Sequence, residues 1–194
     1  MALRRRMGRL ERFAVRCALA VLDEEPGDAR EPTGELIFCS RCGNVETLSA
    51  LHRGIASAQL MSPMAFSGSV HNAAPGLVGQ IRNERLSHTA IAAGSHTFAA
   101  GLVEAYTRLL LDECRDVTVI FADLQLPDVY GAFEPEADAG VAAAIRVERA
   151  DDIDSLPVAS IGPGRKGVFA MLDKLREGAS RISLEGLPWA MQAH

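Results

Sequence analysis

The chain has 194 residues, of which 48% are hydrophobic and 23% are charged, and its formal net charge is −5. This apolar content can build the core of a globular protein, so the sequence predicts one domain over residues 1–194. The negative charge disfavours a general nucleic-acid binder, and no stretch is long and apolar enough to span a bilayer.

The N-terminal segment is rich in arginine, with Arg4, Arg5, Arg6, Arg9, Arg12 and Arg16. Arg16 interrupts the apolar run and Asp23 follows closely, so the segment lacks the apolar core of a signal peptide. We therefore predict an amphipathic helix over about Leu3–Asp23 with a solvated basic face, in a cytoplasmic protein.

Two cysteines, Cys39 and Cys42, form a CxxC pair at the end of a predicted strand, Leu36–Cys39. Two thiols supply half of a tetrahedral zinc shell, and the sequence has no second CxxC and no paired histidines at zinc-binding spacing. The residues that follow resemble a loop, whereas a redox-active thiol favours a helix N-terminus. We expect no metal and no disulfide at this pair, and no cofactor in the protein.

Strands and helices alternate along the rest of the chain, which predicts an α/β layered domain. The strand at His88–Ala93 consists largely of small and branched residues, as is typical of a strand buried on both faces. Residues 151–194 are a weakly patterned tail apart from one helix. The predicted segments are a helix at Glu46–Gln59, a loop at Ser62–Ser69, a short helix at His71–Gln80, the strand at His88–Ala93, a helix from Thr97 to Cys114, strands at Val117–Ala122 and Ala139–Arg149, and a helix at Lys166–Glu177.

Ser95 stands at a sharp turn between a predicted strand and a predicted helix. Gly94 supplies the turn, and Thr97 can cap the helix that follows. A nucleophile or an oxyanion is electrostatically favoured at a helix N-terminus. The pattern therefore makes Ser95 the candidate nucleophile.

Four segments together resemble the β-ketoacyl synthase N-terminal domain family, which includes small synthase-like and chain-length-factor-like partner proteins of aryl-polyene-type clusters. The resemblance covers about Leu3–Ala150 and starts at the family's first long helix, without the strand and loop that precede it there. It implies half of a thiolase-like fold, in which helices flank a mixed sheet. The segments are CSRCGN from Cys39, LMSPMAFSGSVHNAAPG from Leu60, TAIAAGSHTFAAGLVEA from Thr89 and DLQLPDVYG from Asp123.

The resemblance implies that Ser95 replaces the catalytic cysteine of active synthases. A serine hydroxyl is barely ionised and needs an adjacent base to act as a nucleophile. The synthases take two catalytic histidines from the second half of their fold, and the only histidine after His96 here is His194. We expect the chain to have no independent activity.

An independent enzyme that uses Ser95 is the alternative, for example a small hydrolase or acyltransferase acting on carrier-bound acyl chains. The sequence around Ser95 lacks the GxSxG spacing of the α/β-hydrolase elbow. His96 is adjacent, but we expect neighbours at a tight turn to point apart. The only downstream histidine is His194.

The favoured function is that of a chain-length-factor-like subunit, which pairs with a full β-ketoacyl synthase and shapes its acyl tunnel. A homodimer is the second possible assembly, and acyl carrier protein is a further candidate partner. In the resembled fold the strand at His88–Ala93 lies at the dimer edge and pairs antiparallel with its counterpart. The expected interface residues are Phe66, His71, Asn72, His88, Thr89, Ile91 and Phe98.

Overall fold

A computed structural model describes residues 7–23, 34–85, 87–111, 114–133, 140–148, 158–160, 164–179 and 181–183. The helices within these ranges are α1 (Arg9–Leu22), α2 (Val45–Ala56), α3 (Pro63–Ser69), α4 (Ala73–Arg82), α5 (Thr97–Leu110) and α6 (Gly164–Arg176). The strands are β1 (Glu35–Cys39), β2 (His88–Ile91), β3 (Asp116–Asp123), β4 (Val141–Glu148), β5 (Val158–Ser160) and β6 (Arg181–Ser183).

The main sheet has the strand order β2-β1-β3-β4. Strand β1 pairs in parallel with both β2 and β3, whereas β4 is antiparallel to β3. Every residue of β3 is buried, because helices cover both faces of the sheet at its centre. The expected mixed sheet flanked by helices is confirmed.

Alternate residues of the central strands enter two separate cores, because successive side chains of a strand point to opposite faces. Leu36, Phe38 and Ile120 pack with α1 and α4 on one face. Ile37 and Val119 pack with α5 and α6 on the other face. The sheet therefore has a helical layer on each side.

The order of the strands creates a crevice between β1 and β3. The chain leaves β1, passes through α2, α3 and α4, and returns as β2 on one side of β1; it then passes through α5 and returns as β3 on the other side. Because α4 and α5 lie on opposite faces, the two connections diverge above the carboxyl ends of β1 and β3. Ligands of open α/β sheets bind at such a reversal of strand order.

The loop predicted at Ser62–Ser69 is wrong, because most of this segment is helix α3. The Ser62 hydroxyl accepts a hydrogen bond from the Ala65 amide at 3.3 Å, and Pro63 occupies the first helical position. A serine cap followed by proline is a favourable helix start, and it offsets the low helix propensity of the glycine and serines that follow.

The strand predicted at His88–Ala93 is shorter and less buried than expected. Strand β2 ends at Ile91, and all of its residues are half-buried rather than buried on both faces. It pairs only with β1 among the described residues, so it forms one edge of the main sheet.

The segment predicted as a weakly patterned tail contains regular structure. Strands β5 and β6 pair in parallel, and α6 lies between them in the sequence. Val168 and Met171 of α6 are buried in the same core as α5. The start of the first predicted helix, before Met7, lies outside the described residues.

Candidate functional site

Ser95 lies in a single 3₁₀ turn, Gly94–His96, that joins β2 to α5. Gly94 has a φ of +57°, which glycine adopts without strain. The Thr97 hydroxyl donates to the Gly94 carbonyl at 2.7 Å and accepts from the Ala93 amide at 2.9 Å. Thr97 therefore fixes the turn in front of α5, whereas the sequence had predicted it as the helix cap.

His96 does not point away from Ser95, and this expectation is wrong. The Ser95 Oγ lies 3.2 Å from the His96 Nδ1, which is within hydrogen-bond distance. A neutral imidazole at this position could accept the hydroxyl proton. The turn therefore presents an exposed serine beside a potential base.

The carboxyl ends of β1 and β3 are joined by a buried hydrogen-bond network. The Asp123 Oδ1 accepts from the Ser40 hydroxyl and from the Arg41 amide, both at 2.9 Å. The Ser40 Oγ in turn accepts from the Gly43 amide at 2.9 Å. Sequence reasoning missed the pairing of Ser40 with Asp123. The signal was available, because each of these polar residues directly follows a predicted buried strand.

A small cavity connects Ser95 with the Asp123 network. It measures about 60 Å³ and is lined by Arg41, Ser95, Asp123, Phe98, Phe121 and Val168. Drug-sized ligands occupy cavities of about 300–1,000 Å³. As it stands, the site beside Ser95 does not accommodate a long acyl chain.

The Cys39 thiol is completely buried at the end of β1. Burial raises the pKa of this thiol far above its usual range, and the negative charge of Asp123 raises it further. A thiol that stays protonated is a poor nucleophile and a poor metal ligand. Within the ranges that the model describes, no three or more metal-ligating side chains cluster together.

A group of exposed apolar side chains surrounds α3. Their exposed fractions range from 42% for Val70 to 101% for Leu60. Scattered apolar residues are common on surfaces, whereas a contiguous exposed apolar group is typical of an interaction site. We define the apolar patch as Leu60, Met61, Met64, Phe66 and Val70.

His71 and Asn72 follow the patch at the start of α4. The half-buried His71 ring packs edge-on against Phe38, with 5.8 Å between ring centroids. Its Nε2 atom is buried and has no hydrogen-bond partner among the residues that the model describes. Asn72 is exposed.

The side chains of Thr89 and Ile91 point toward α5 rather than away from the chain. The Thr89 hydroxyl accepts a hydrogen bond of 2.6 Å from Arg108, which also forms ion pairs with Glu35 and Glu104. Ile91 packs against the core on the α5 side, whereas the half-buried His88 lines a surface cavity beside α4. The side of β2 that faces away from β1 is therefore formed by backbone groups and not by these side chains.

Phe98 is only 2% exposed and packs against Phe121, with 5.3 Å between ring centroids. It therefore belongs to the chain's own core and not to the expected interface.

Residues 1–166 match the family model described as the N-terminal domain of β-ketoacyl synthase. The chain belongs to this family. No curated protein sequence matches the chain. The described residues contain no helix long and apolar enough to cross a membrane.

Solved structures with a similar fold include ketosynthases and their complexes. One is the ketosynthase ApeO in complex with its chain length factor ApeC from Xenorhabdus doucetiae, with a TM-score of 0.71, 23% identity and coverage of 90% of this chain and 72% of that chain. Another is the ishigamide ketosynthase/chain length factor, with a TM-score of 0.63, 18% identity and coverage of 79% of this chain and 47% of that chain. A third is a β-ketoacyl synthase from Burkholderia phymatum STM815, with a TM-score of 0.59, 16% identity and coverage of 77% of this chain and 44% of that chain.

At these identities the likeness concerns the fold. The chain spans less than half of the second and third matched chains. The expected thiolase-like architecture is confirmed for the part of the fold that this chain spans.

Proposed function

We propose that this chain is a non-catalytic subunit, similar to a chain length factor, that pairs with a full β-ketoacyl synthase in fatty-acid or aryl-polyene-type polyketide elongation. The observation that carries the proposal is the edge position of β2. Natural edge strands are protected against unwanted pairing by lysine or proline, by short length, or by a covering strand, helix or loop. The sequence of β2, His88–Ile91, has neither residue.

The geometry of the edge supports pairing through the backbone. Ser87 and Ile91 contribute carbonyl groups to β1, as acceptors for the Leu36 and Ser40 amides. Because backbone groups alternate sides along a strand, the amide and carbonyl of Ala90 point away from β1. A strand from a second subunit could pair with these groups.

The apolar patch supports a protein partner of substantial size. Phe66 is 56% exposed and Met64 is 53% exposed. Aromatic residues and methionine are enriched at protein–protein interfaces. We include Phe66, His71, Asn72, His88, Thr89 and Ile91 in the proposed interface, with Thr89 and Ile91 supporting the strand from behind.

The site around Ser95 supports a non-catalytic assignment. A serine stands where the synthases of the family carry cysteine, and the adjoining cavity holds about 60 Å³. A cytoplasmic location is part of this proposal. Acyl carrier protein is a further proposed partner, for which Arg9 and Arg16 on the exposed face of α1 offer positive charge.

Co-purification tests the pairing. The chain should form a stable heterodimer with a co-expressed full-length β-ketoacyl synthase of an aryl-polyene-type system, as measured by size-exclusion chromatography with light scattering. Phe66→Ser should weaken this complex at least tenfold, because it removes an exposed aromatic anchor. Leu110→Ser is the matched control, since Leu110 is 58% exposed on α5, a helix that packs on the other face of the sheet from α4. Equal effects of the two variants would contradict the proposed surface.

A second candidate function is acyl transfer or hydrolysis by Ser95, and the 3.2 Å separation of Ser95 Oγ and His96 Nδ1 favours it. In such a reaction Oγ would attack the thioester carbonyl carbon, Nδ1 would take the hydroxyl proton, and the thiolate would leave as the acyl–oxygen bond formed. The thiolate would then take up the proton held by the imidazolium, which returns His96 to its neutral form. Detection of an acyl-Ser95 species would favour this function over the first.

A further inference from the structure

Helix α3 carries much of the apolar patch but has no buried residue of its own. Burial of apolar side chains is what normally fixes a short helix on a protein, because a seven-residue helix is unstable alone. Half-buried residues of α3 pack against α2 and α4, and polar contacts can add to this packing.

A hydrogen-bonded asparagine supplies such a contact. The Asn44 Nδ2 donates to the carbonyl of Gly68 in α3 at 3.0 Å and to the Glu11 carboxylate at 2.5 Å. The other end of the same side chain, Oδ1, accepts from the Thr47 amide at 3.3 Å and caps α2. One side chain therefore joins α1, α2 and α3.

Glu11 orients this asparagine from inside the protein. Glu11 is 2% exposed, and its second oxygen, Oε2, has no hydrogen-bond partner among the residues that the model describes. A side chain on Gly8 would collide with this oxygen, so the glycine leaves room for the carboxylate. Burying a carboxylate is unfavourable unless it is hydrogen-bonded, and buried polar groups are retained in some proteins because they specify one arrangement.

We infer that Glu11 is a positioning residue, which acts through Asn44 to fix the backbone of α3 and thereby the orientation of Met64 and Phe66. The identity of what binds there rests on the proposed function, whereas the positioning itself does not. A buried residue of α1 thereby influences the geometry of the apolar patch, although it is not part of that patch.

Hydrogen–deuterium exchange of the isolated chain tests the positioning. In Glu11→Ala, the amides of Phe66 to Val70 should exchange on the order of tenfold faster, as expected for the loss of one net hydrogen bond. The amides of β3 should keep their protection. Glu11→Gln is the conservative control, because its amide oxygen can still accept from Asn44, and it should restore slow exchange.

A double variant keeps the test decisive if Glu11→Ala fails to fold. In Glu11→Gln/Asn44→Asp, the glutamine amide can donate to the new carboxylate, and that carboxylate can still cap α2. Only the donor to the Gly68 carbonyl is lost. Faster exchange confined to Phe66–Val70 would support the Asn44–Gly68 contact through which Glu11 is inferred to act, and unchanged exchange there would overturn the inference.

Binding to the co-expressed β-ketoacyl synthase separates this inference from the proposed function. The double variant should weaken the complex about tenfold, similarly to Phe66→Ser. If exchange in α3 responds but neither variant affects the complex, the positioning stands and the proposed interface fails.

Discussion

The sulfur atom of Cys39 occupies the space that a side chain at Gly101 would need. Cys39 ends the central strand β1, and Gly101 lies in α5, so the two residues set how closely this helix approaches the sheet. The same contact explains why α5 has a glycine in its middle, because a larger residue there would collide with the buried Cys39 sulfur.

We expect Gly101→Ala to destabilise the chain by about 1–3 kcal/mol, because overpacking a dense core outweighs the gain in helix propensity. Cys39→Ala/Gly101→Ala should recover most of this loss, because the added methyl group then meets only ordinary contacts with Val119 and Ile37. Urea denaturation of both single variants and the double variant measures the coupling. Additive effects would contradict the steric relationship, since residues in contact couple by about 0.5–3 kcal/mol.

Pairing of a partner strand with the free edge of β2 can be tested by substitutions that leave the charge unchanged. Ala90→Pro removes an amide that points away from β1, so the chain should stay folded while heterodimer or homodimer formation weakens at least tenfold. Thr89→Pro is the contrasting variant, because it removes an amide that faces β1 and should destabilise the fold. Circular dichroism and sedimentation velocity distinguish the two effects. A folded Ala90→Pro chain with unchanged association would argue against strand pairing at this edge.

A charged substitution at Thr89 is a poorer test of the same edge. The Thr89 hydroxyl bonds to Arg108, which already pairs with Glu35 and Glu104. Thr89→Glu would bring a third carboxylate to this guanidinium, so its effect on the monomer would obscure any effect on association.

Burial of Glu11 makes stability depend on pH. Burial raises the pKa of Glu11 above its ordinary value of 4.5, and the hydrogen bonds from backbone amides and Asn44 oppose this only in part. A raised pKa means that the folded chain holds the proton more tightly than the unfolded chain does. The contribution of Glu11 to the free energy of unfolding is therefore complete below pH 4.5, and it is lost as the pH rises through the raised pKa.

The free energy of unfolding should accordingly fall with rising pH, relative to Glu11→Gln, which does not titrate. Urea denaturation of both proteins between about pH 4 and pH 8 measures this difference. Parallel pH profiles would show that Glu11 has an unshifted pKa in the folded chain.

Ser95 should remain unmodified by acyl thioesters. Its neighbouring cavity of about 60 Å³ leaves little room for an acyl chain, and serine is a weaker nucleophile than the cysteine of active synthases. Intact-protein mass spectrometry after incubation with an acyl-carrier thioester checks this, with Ser95→Ala as the blank. A stoichiometric adduct that is absent from Ser95→Ala would instead identify an active Ser95–His96 pair.

Elements with strong periodicity were predictable from the sequence. The strand at Val117–Ala122 corresponds to β3, and the helix predicted at Lys166–Glu177 corresponds to α6. The motifs around Ser95 also indicated the family correctly. These features depend on local spacing, which a sequence displays directly.

Contacts between distant residues were not predictable in this way. Nothing in the sequence marks Glu11 as buried, yet it is 2% exposed and accepts a hydrogen bond from Asn44, which also bonds to Gly68. The edge position of β2 was expected only from the family resemblance, because the apolar sequence of this strand is equally consistent with a central strand. The side chain of His96 takes its direction from a 3₁₀ turn that the residue types alone did not specify.

The cavity beside Ser95, of about 60 Å³, has room for only a few water molecules. A site that sets the length of an acyl product must have room for the whole acyl chain, and a cavity of this size does not have it. Under the proposed pairing, product length would be measured in a volume enclosed by two proteins together. Substitutions on α3 would then change the size distribution of products while leaving the rate of each condensation nearly constant.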